Sequence, residues 1–176
     1  MFTNPINNLK AFRLKESDIV ADLGAGTGFY SVAAGHILSK GKVYAVEIVK
    51  DFLDLIKSKT KEAHLNNVEI ILGNIEKPGG TKIGDSVVDA VIASNILFQV
   101  ENRDVFIEET KRILKQKGRV LLIDWIPESK GETSVVKIKG TMPKDKAQEM
   151  FEKKGFTLER EINAGAHHYG IILVKS

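Results

Sequence analysis

The sequence predicts an α/β fold in which helices cover a mostly parallel sheet, and two observations lead to this prediction. Short apolar runs rich in branched residues alternate with longer stretches whose apolar residues recur at helical spacing. The joints between them are short, which is typical of parallel strands connected by right-handed crossovers. The chain of 176 residues has the ordinary size of one domain, and we expect residues 1–176 to form a single domain.

Seven runs have the length and composition of strands. They are Asp18 to Leu23, Lys42 to Ile48, Val68 to Leu72, Val87 to Ala93, Arg119 to Asp124, Phe156 to Ile162 and His168 to Val174.

Helical spacing predicts three helices between the first five runs, over roughly 29–39, 49–64 and 103–115. A fourth helix is expected to open at Pro143, since proline is favoured at the first helical position. Glycine adopts the left-handed C-cap without penalty, so three Lys-Gly pairs are expected to mark helix ends. These glycines are Gly41, Gly118 and Gly155.

The last two runs are separated only by residues 163–167, which is too short for a parallel crossover. They must form an antiparallel hairpin. The sixth strand is expected to run parallel to the first five, which brings the hairpin turn to the edge where those strands end. His167, His168 and Tyr169 would then lie at that edge.

The composition excludes several classes of function. The chain has no cysteine, which excludes disulfides, thiol nucleophiles and cysteine-ligated zinc and suits a reducing compartment. No apolar run approaches membrane-spanning length, and the N-terminus does not read as a signal peptide, so a cytoplasmic protein is expected. The net charge of +3 comes from lysines mixed with acids, which favours a solvated surface over a nucleic-acid face. No histidine and acid pair has metal-binding spacing, and no bound metal is expected.

A glycine-rich turn follows the first strand, in the stretch Asp22-Leu-Gly24-Ala-Gly26-Thr-Gly28. Ligands of parallel sheets bind at the carboxyl ends of the strands, where a glycine turn lets the backbone approach them. The dinucleotide fingerprint would need a glycine where Phe29 stands. Glu47 ends the second strand, where a carboxylate can accept hydrogen bonds from both hydroxyls of a ribose. A ribose-bearing ligand is therefore predicted, with a purely structural turn and a surface glutamate as the alternatives.

These residues resemble the motifs of class I S-adenosylmethionine-dependent methyltransferases, and the resemblance covers nearly the whole chain. The glycine turn and Glu47 match two motifs, the run 86–95 looks like the family's fourth strand, and 112–124 looks like its helix, glycine turn and fifth strand. The resemblance implies a Rossmann-like three-layer sandwich. Its seven-stranded, mostly parallel sheet would have the order 3-2-1-4-5-7-6, with the last strand antiparallel.

The resemblance also implies the residues that bind S-adenosylmethionine. They are Asp22, Gly24, Ala25, Gly26, Gly28, Tyr30, Glu47, Ile48, Asn74, Ile75 and Asn95. In this scheme Asp22 orients the turn or the amino group of the cofactor, and Glu47 binds the ribose. Ile48 and Ile75 sandwich the adenine, and the amide oxygen of Asn74 accepts from the adenine amino group where the family often has an aspartate.

No catalytic residue is certain from the sequence, because the methyl group of a sulfonium is already electrophilic and the protein mainly has to align the reactants. The candidates for a chemical role are His167, His168, Tyr169 and Asn95. The candidates for lining the acceptor pocket are Gln99, Trp125, His168 and Tyr169. Residues 126–142 are expected to hang over that pocket.

We therefore predict transfer of a methyl group from S-adenosylmethionine to a small-molecule acceptor by in-line displacement. Three alternatives remain: methylation of RNA or protein, a noncatalytic S-adenosylmethionine-binding module, and an NAD-dependent oxidoreductase. Methylation of RNA or protein is not supported by an appended recognition domain in the sequence. A noncatalytic module would be favoured by loss of Asp22 or Glu47, and both are present. An oxidoreductase would need a glycine where Phe29 stands. The sequence predicts neither the identity of the acceptor nor the oligomeric state.

Overall fold

The computed structural model of the protein describes residues 4–127 and 139–176. Its helices are α1 (Pro5–Phe12), α2 (Phe29–Ile37), α3 (Lys50–Glu62), α4 (Arg103–Ile113) and α5 (Lys144–Lys153). Its strands are β1 (Ile19–Leu23), β2 (Lys42–Glu47), β3 (Val68–Leu72), β4 (Val88–Ser94), β5 (Leu114–Trp125), β6 (Phe156–Ile162) and β7 (His168–Lys175).

The strands form one seven-stranded sheet in the order β3-β2-β1-β4-β5-β7-β6. β7 is antiparallel to both of its neighbours, and every other pairing is parallel. The predicted order and the predicted antiparallel hairpin are both confirmed. Because β6 runs in the same direction as β1–β5, the β6–β7 turn lies at the edge where the parallel strands end.

Helices cover both faces of the sheet, which confirms the three-layer sandwich. On one face, alternate strand residues such as Leu122 pack with Phe106 of α4 and Phe151 of α5. On the other face, Leu121 and its counterparts pack with Leu9 of α1 and with α2. Strands buried on both faces are continuously apolar, which explains why their sequences show no alternation of polar and apolar residues.

Helix α1 was not among the predicted elements, although its start carries a recognisable signal. Pro5 occupies its first turn, and the side-chain oxygen of Asn4 accepts a hydrogen bond from the Asn7 N–H at 3.2 Å. An asparagine N-cap followed by proline is a preferred helix start. The helix then buries Leu9 and Phe12 against the sheet.

The predicted end of the α4 helix near residue 115 was wrong. The helix ends at Ile113 and the chain passes directly into β5. Lys117, not Gly118, takes the left-handed conformation, with a φ of 62°. A side chain at Gly118 would place its Cβ 2.7 Å from Leu114 Cδ2, so this position needs glycine for space and not for helix capping.

The other two glycine predictions had different outcomes. Gly155 follows α5 with a φ of 86°, which confirms that prediction. Gly41 is not in the left-handed region, and the cap predicted there was wrong. A Cβ at Gly41 would lie 2.1 Å from the carbonyl oxygen of Asp18, so the close approach of two backbone segments excludes a side chain.

A buried carboxylate fixes the connection that follows β3. Glu109 of α4 accepts hydrogen bonds from Gly79 N–H, Thr81 N–H and the Thr81 hydroxyl, at 2.9, 3.1 and 2.6 Å. It also accepts from the Arg112 guanidinium at 2.7 and 2.8 Å. Burial opposes ionisation, yet the Arg112 charge and the donors from Thr81 and Gly79 outweigh it and lower the pKa of Glu109 to about 2. The connection that carries Asn74 is thereby held against α4.

Within residues 4–127 and 139–176, no helix combines the length and the apolar character needed to cross a lipid bilayer.

Candidate functional site

A cleft with a volume of about 420 Å³ lies at the carboxyl ends of β1 to β4. This volume is within the range of small-molecule sites. Its lining comes from the glycine turn, the ends of β2 and β3, the start of α3 and the turn after β4. The lining residues are Gly24, Ala25, Gly26, Thr27, Phe29, Val46, Glu47, Ile48, Val49, Phe52, Gly73, Asn74, Ile75, Glu76, Ser94, Asn95, Ile96, Gln99 and Val100.

The glycine turn presents bare backbone to this cleft. The Gly24 and Ala25 N–H groups donate to the Val46 carbonyl at 2.9 and 3.0 Å, which fastens the turn to β2. Gly26 has a φ of 53°, and a Cβ at this position would meet no atom within 4 Å. The backbone at Gly26 therefore faces open space that any side chain would enter.

Glu47 closes the opposite side of the turn and is only 7% exposed. Its Oε2 accepts from the Gly26 N–H at 2.8 Å, and its Oε1 accepts from the Ile48 and Val49 N–H groups at 2.8 and 2.9 Å. A carboxylate has about four acceptor directions, so about one remains, on Oε2. The same side chain thus holds the glycine turn and keeps an acceptor for a ligand hydroxyl.

Asp22 lies beneath the turn and is not among the residues that line the cleft. Its carboxylate accepts a hydrogen bond of 2.6 Å from the Ser31 hydroxyl, which ties β1 to α2 on either side of the turn. Burial, together with the nearby charge of Glu47, raises the pKa of Asp22 to about 6, although the Ser31 hydrogen bond opposes the shift. The geometry suits a residue that orients the turn, one of the two roles predicted for it.

Gly28 and Tyr30 also lie outside the lining. Gly28 precedes α2 with a φ of 83°, and a Cβ there would lie 2.9 Å from Ile56 of α3. The Tyr30 hydroxyl accepts a hydrogen bond of 2.8 Å from the side-chain amide of Asn8. Direct contact of Gly28 or Tyr30 with the cofactor stays a prediction.

The adenine end of the predicted site lies after β3. The Asn74 amide oxygen accepts from the Glu76 N–H at 2.8 Å, so the atom predicted to meet the adenine amino group already has one partner. Ile75 is buried and Ile48 is 56% exposed, and both line the cleft. The cleft therefore contains both of the apolar side chains that the predicted sandwich requires.

Polar groups gather where β4 and β5 end. The Asn95 N–H donates to the Ile123 carbonyl at 2.8 Å, and the Gln99 side-chain amide donates to the Asn95 carbonyl at 2.9 Å. The buried Asp124 accepts from the Leu97 and Trp125 N–H groups, both at 2.7 Å. Burial raises the pKa of Asp124 above its ordinary range. Asp124 therefore fixes the turn after β4.

The start of β7 delivers the predicted aromatic residues to the same edge but on different faces. His167 is exposed in the turn. His168 lies opposite Trp125, with ring centroids 4.0 Å apart, and Tyr169 lies opposite Asp124. Burial lowers the pKa of His168 to about 4 and raises that of Tyr169 well above its ordinary range. Neither these residues nor Trp125 line the cleft, so their contact with an acceptor stays a prediction.

Residues 128–138 of the stretch predicted to hang over the pocket lie outside the described residues. The stretch resumes beside the turn after β4, where Arg103 donates to the Leu97 and Gly140 carbonyls at 3.0 and 3.1 Å.

The sequence analysis missed about half of the cleft lining. The missed residues are Thr27, Phe29, Val46, Val49, Phe52, Gly73, Glu76, Ser94, Ile96 and Val100. Most are immediate neighbours of predicted residues, and their place at strand ends was a usable signal. Phe52 could be found only from helical periodicity, because it lies in the first turn of α3 and not at a strand end.

The residues of the cleft fit S-adenosylmethionine. Gly26 leaves open backbone for the amino-acid part, Glu47 keeps an acceptor for a ribose hydroxyl, and Ile48 and Ile75 offer apolar walls for a base. Among the residues that the structure describes, no three His, Cys, Asp or Glu side chains come together as metal ligands would.

Comparison with known proteins agrees with this geometry. A family model described as "Methyltransferase domain" matches residues 21–122. A Sulfurisphaera tokodaii protein named "Probable cobalt-precorrin-6B C(15)-methyltransferase (decarboxylating)" is 35% identical over 115 residues, 65% of this chain and 57% of that protein. A Halobacterium salinarum arsenite methyltransferase is 29% identical over 119 residues, 66% of this chain and 30% of that protein. The chain spans about half or less of the length of these curated relatives.

A solved structure extends the likeness to nearly the whole chain. A SAM-dependent methyltransferase from Aquifex aeolicus superposes with a TM-score of 0.88 at 25% identity, over 99% of this chain and 91% of that one. The resemblance predicted from the motifs is thereby confirmed. The chain belongs to the methyltransferase-domain family and has the class I fold of the S-adenosylmethionine-dependent methyltransferases.

Proposed function

We propose that the protein transfers a methyl group from S-adenosylmethionine to a small-molecule acceptor. The observation that carries this proposal is the cleft. Its lining includes the Gly26 backbone and the Glu47 carboxylate, and it lies at the carboxyl edge of a sheet with the strand order of the methyltransferase family. The family assignment favours methyl transfer over hydride transfer. The relatives named above act on a precorrin and on arsenite, as their names state, which supports a small acceptor over RNA or protein.

When bound, S-adenosylmethionine supplies an electrophilic methyl group, so the chain's own task is to position the reactants and exclude water. Alignment alone can remove on the order of 7 to 11 kcal/mol from a barrier. The glycine turn and Glu47 would hold the cofactor, and Asn95 and Gln99 would border the acceptor. His168 and Tyr169 would approach from β7, which β5 separates from β4.

Two measurements test this function. Calorimetry should show binding of S-adenosylmethionine and of S-adenosylhomocysteine, its demethylated product. The protein loaded with cofactor should then add 14 Da, the mass of a CH2 unit, to a component of a metabolite extract. Binding without any methylated product, from small molecules, RNA or protein, would favour a noncatalytic binding module and contradict the proposal.

A further inference from the structure

A buried carboxylate outside the cleft fixes the backbone of the segment that follows β3. Glu109 of α4 is only 2% exposed and does not line the cleft. Its Oε2 accepts from the Gly79 N–H at 2.9 Å, and its Oε1 accepts from the Thr81 N–H at 3.1 Å. The residue between these two donors is Gly80, so one side chain holds the backbone on both sides of it.

The peptide group between Gly80 and Thr81 carries this constraint to the cleft. Its N–H donates to Glu109, and its carbonyl oxygen accepts from the Asn74 N–H at 2.9 Å. A peptide group is planar and rigid, so a shift at one end moves the other. The contact leaves no free space, because a Cβ at Gly80 would collide with the Asn74 carbonyl oxygen. The position of Asn74 therefore depends on Glu109.

Helix α4 holds the same segment at a second point. The N–H of Asn102, the N-cap residue of α4, donates to Glu76 Oε1 at 2.7 Å. Asn102 and Glu109 are seven residues apart, which is about 10 Å along a helix. α4 thus holds residues 74–76 from two separate points, and Glu109 is the one that lies outside the cleft.

Residues 74–76 line the end of the cleft that suits the base of the cofactor. Glu47, with its free acceptor for a ribose hydroxyl, ends β2, and β2 lies between β3 and β1. The bare backbone of Gly26 on the β1 side suits the polar amino-acid part. The β3 side, where Ile75 lies in the cleft, is left for the adenine.

The polar groups at this end of the cleft are acceptors. Asn74 Oδ1 accepts from the Glu76 N–H, and Glu76 Oε1 accepts from the Asn102 N–H, and each oxygen keeps a further acceptor direction. The amino group of adenine is a donor and matches them. A purine with an oxo group in its place would bring one acceptor against another.

We propose that Glu109 is a positioning residue for cofactor recognition, which acts through the Gly80–Thr81 peptide to hold Asn74 where it accepts from the adenine amino group. The proposal rests on the cofactor binding that the proposed function requires. It deepens that function by giving a residue outside the cleft a part in selecting adenine over other purines.

Calorimetry with two ligands tests this role. They are S-adenosylhomocysteine and S-inosylhomocysteine, in which an oxo group replaces the amino group of the purine. The wild-type protein should bind S-adenosylhomocysteine about threefold to tenfold more tightly, which is the effect of one hydrogen bond.

Glu109→Gln should remove this preference. Of the groups bonded to Glu109, only the Thr81 hydroxyl can also accept a hydrogen bond, so the NH2 group of the glutamine should take the place of Oε1. It then faces the Thr81 N–H, and the peptide that holds Asn74 is released. The Kd for S-adenosylhomocysteine should rise, and the two Kd values should come within about twofold of each other.

Two further variants separate positioning from stability. Asp89→Asn is the matched control, because Asp89 also accepts from a backbone N–H, that of Ile19, and pairs with Lys115, but at the opposite edge of the sheet. It should lower the melting temperature and leave the ratio of the two Kd values unchanged. Gly80→Ala forces the same peptide away from Asn74 without altering Glu109, and it should reduce the ratio as Glu109→Gln does.

An unchanged ratio in either Glu109→Gln or Gly80→Ala would overturn the positioning role, so Gly80→Ala decides alone if Glu109→Gln does not fold. A ratio that falls equally in Asp89→Asn would also overturn it, because lost stability would then be the cause. Equal binding of both ligands by the wild type would overturn the adenine contact and the positioning role with it. Binding of neither ligand by the wild type would instead contradict the proposed function.

Discussion

Replacing Glu47 by glutamine tests whether one carboxylate both holds the glycine turn and binds the ribose. In the wild type, Oε1 accepts two N–H groups and Oε2 accepts the Gly26 N–H. A glutamine oxygen can still accept from Ile48 and Val49. Its NH2 group would then point at the Gly26 N–H, where two donors face each other and no hydrogen bond forms.

The expected loss of affinity follows from the acceptor that remains free. About one acceptor direction of Oε2 is available to a ribose hydroxyl, so the substitution removes about one hydrogen bond to a charged group. Such bonds are worth about 1.5 to 3 kcal/mol. Since 1.4 kcal/mol corresponds to about tenfold, the Kd should rise roughly 10- to 150-fold.

Calorimetry with S-adenosylhomocysteine measures this effect without turnover. Glu69→Gln is the matched control, because it removes the same charge from the neighbouring strand β3. Glu69 is half exposed and, among the described residues, forms a surface ion pair with Lys42, an interaction worth under about 1 kcal/mol. Its Kd should stay within about twofold of wild type. A Glu47→Gln protein that binds as tightly as wild type would refute the ribose role.

Three further predictions concern the turn, the buried ion pair and metal dependence. Gly26→Val should abolish cofactor binding, as titration of the folded protein would show. Gly79→Val is the control, because Gly79 also has a positive φ and open space for a Cβ; it should lose a similar stability of about 1 to 3 kcal/mol and still bind. Binding by Gly26→Val would mean that the ligand lies elsewhere. Glu109→Gln should lower the free energy of unfolding by roughly 3 kcal/mol at neutral pH, because the folded-state pKa of about 2 lies below the ordinary 4.5. This stabilisation is present above pH 4.5 and is lost as the pH falls towards 2, so urea titrations should show the wild-type advantage narrowing only in that window; a gap independent of pH would contradict an ionic role. Turnover should survive chelation of divalent metals, since no ligand group converges among the described residues; activity lost with chelator and restored by magnesium would contradict this.

The strands and the final hairpin were predictable because their signals are local, whereas the strand order followed only from the family resemblance. A loop as short as residues 163–167 permits only a hairpin, and the strands buried on both faces stand out as continuous apolar runs. The start of β5 was not predictable in this way. The stretch from Leu114 to Gly118 reads as a helix end followed by a capping glycine, but the pairing of Val88 with Leu114 draws these residues into the sheet. Tertiary pairing outweighed the local signal.

The cofactor side of the cleft was more predictable than the acceptor side for a related reason. Gly24, Ala25 and Gly26 follow β1 and Glu47 is the last residue of β2, so their position at the carboxyl edge is fixed by the strand ends alone. The acceptor side depends on which face each residue of β7 takes and on what lies opposite, because Tyr169 meets Asp124 while its neighbour His168 meets Trp125. Neighbouring residues of a strand face opposite sides of the sheet, but the sequence does not show which face each of the two residues takes.

The cofactor side and the acceptor side of the sheet edge differ in how fully their buried polar groups are hydrogen-bonded. On the cofactor side, Glu47 and Asp22 are bonded to the chain's own backbone and to Ser31, so the turn is organised before any ligand arrives. Where β5 and β7 meet the same edge, the ring nitrogens of His168 and the hydroxyl of Tyr169 have no hydrogen-bond partner among the described residues, and each such buried group costs stability. The part of the edge that is organised by the chain's own hydrogen bonds is therefore the part that we propose to bind the cofactor.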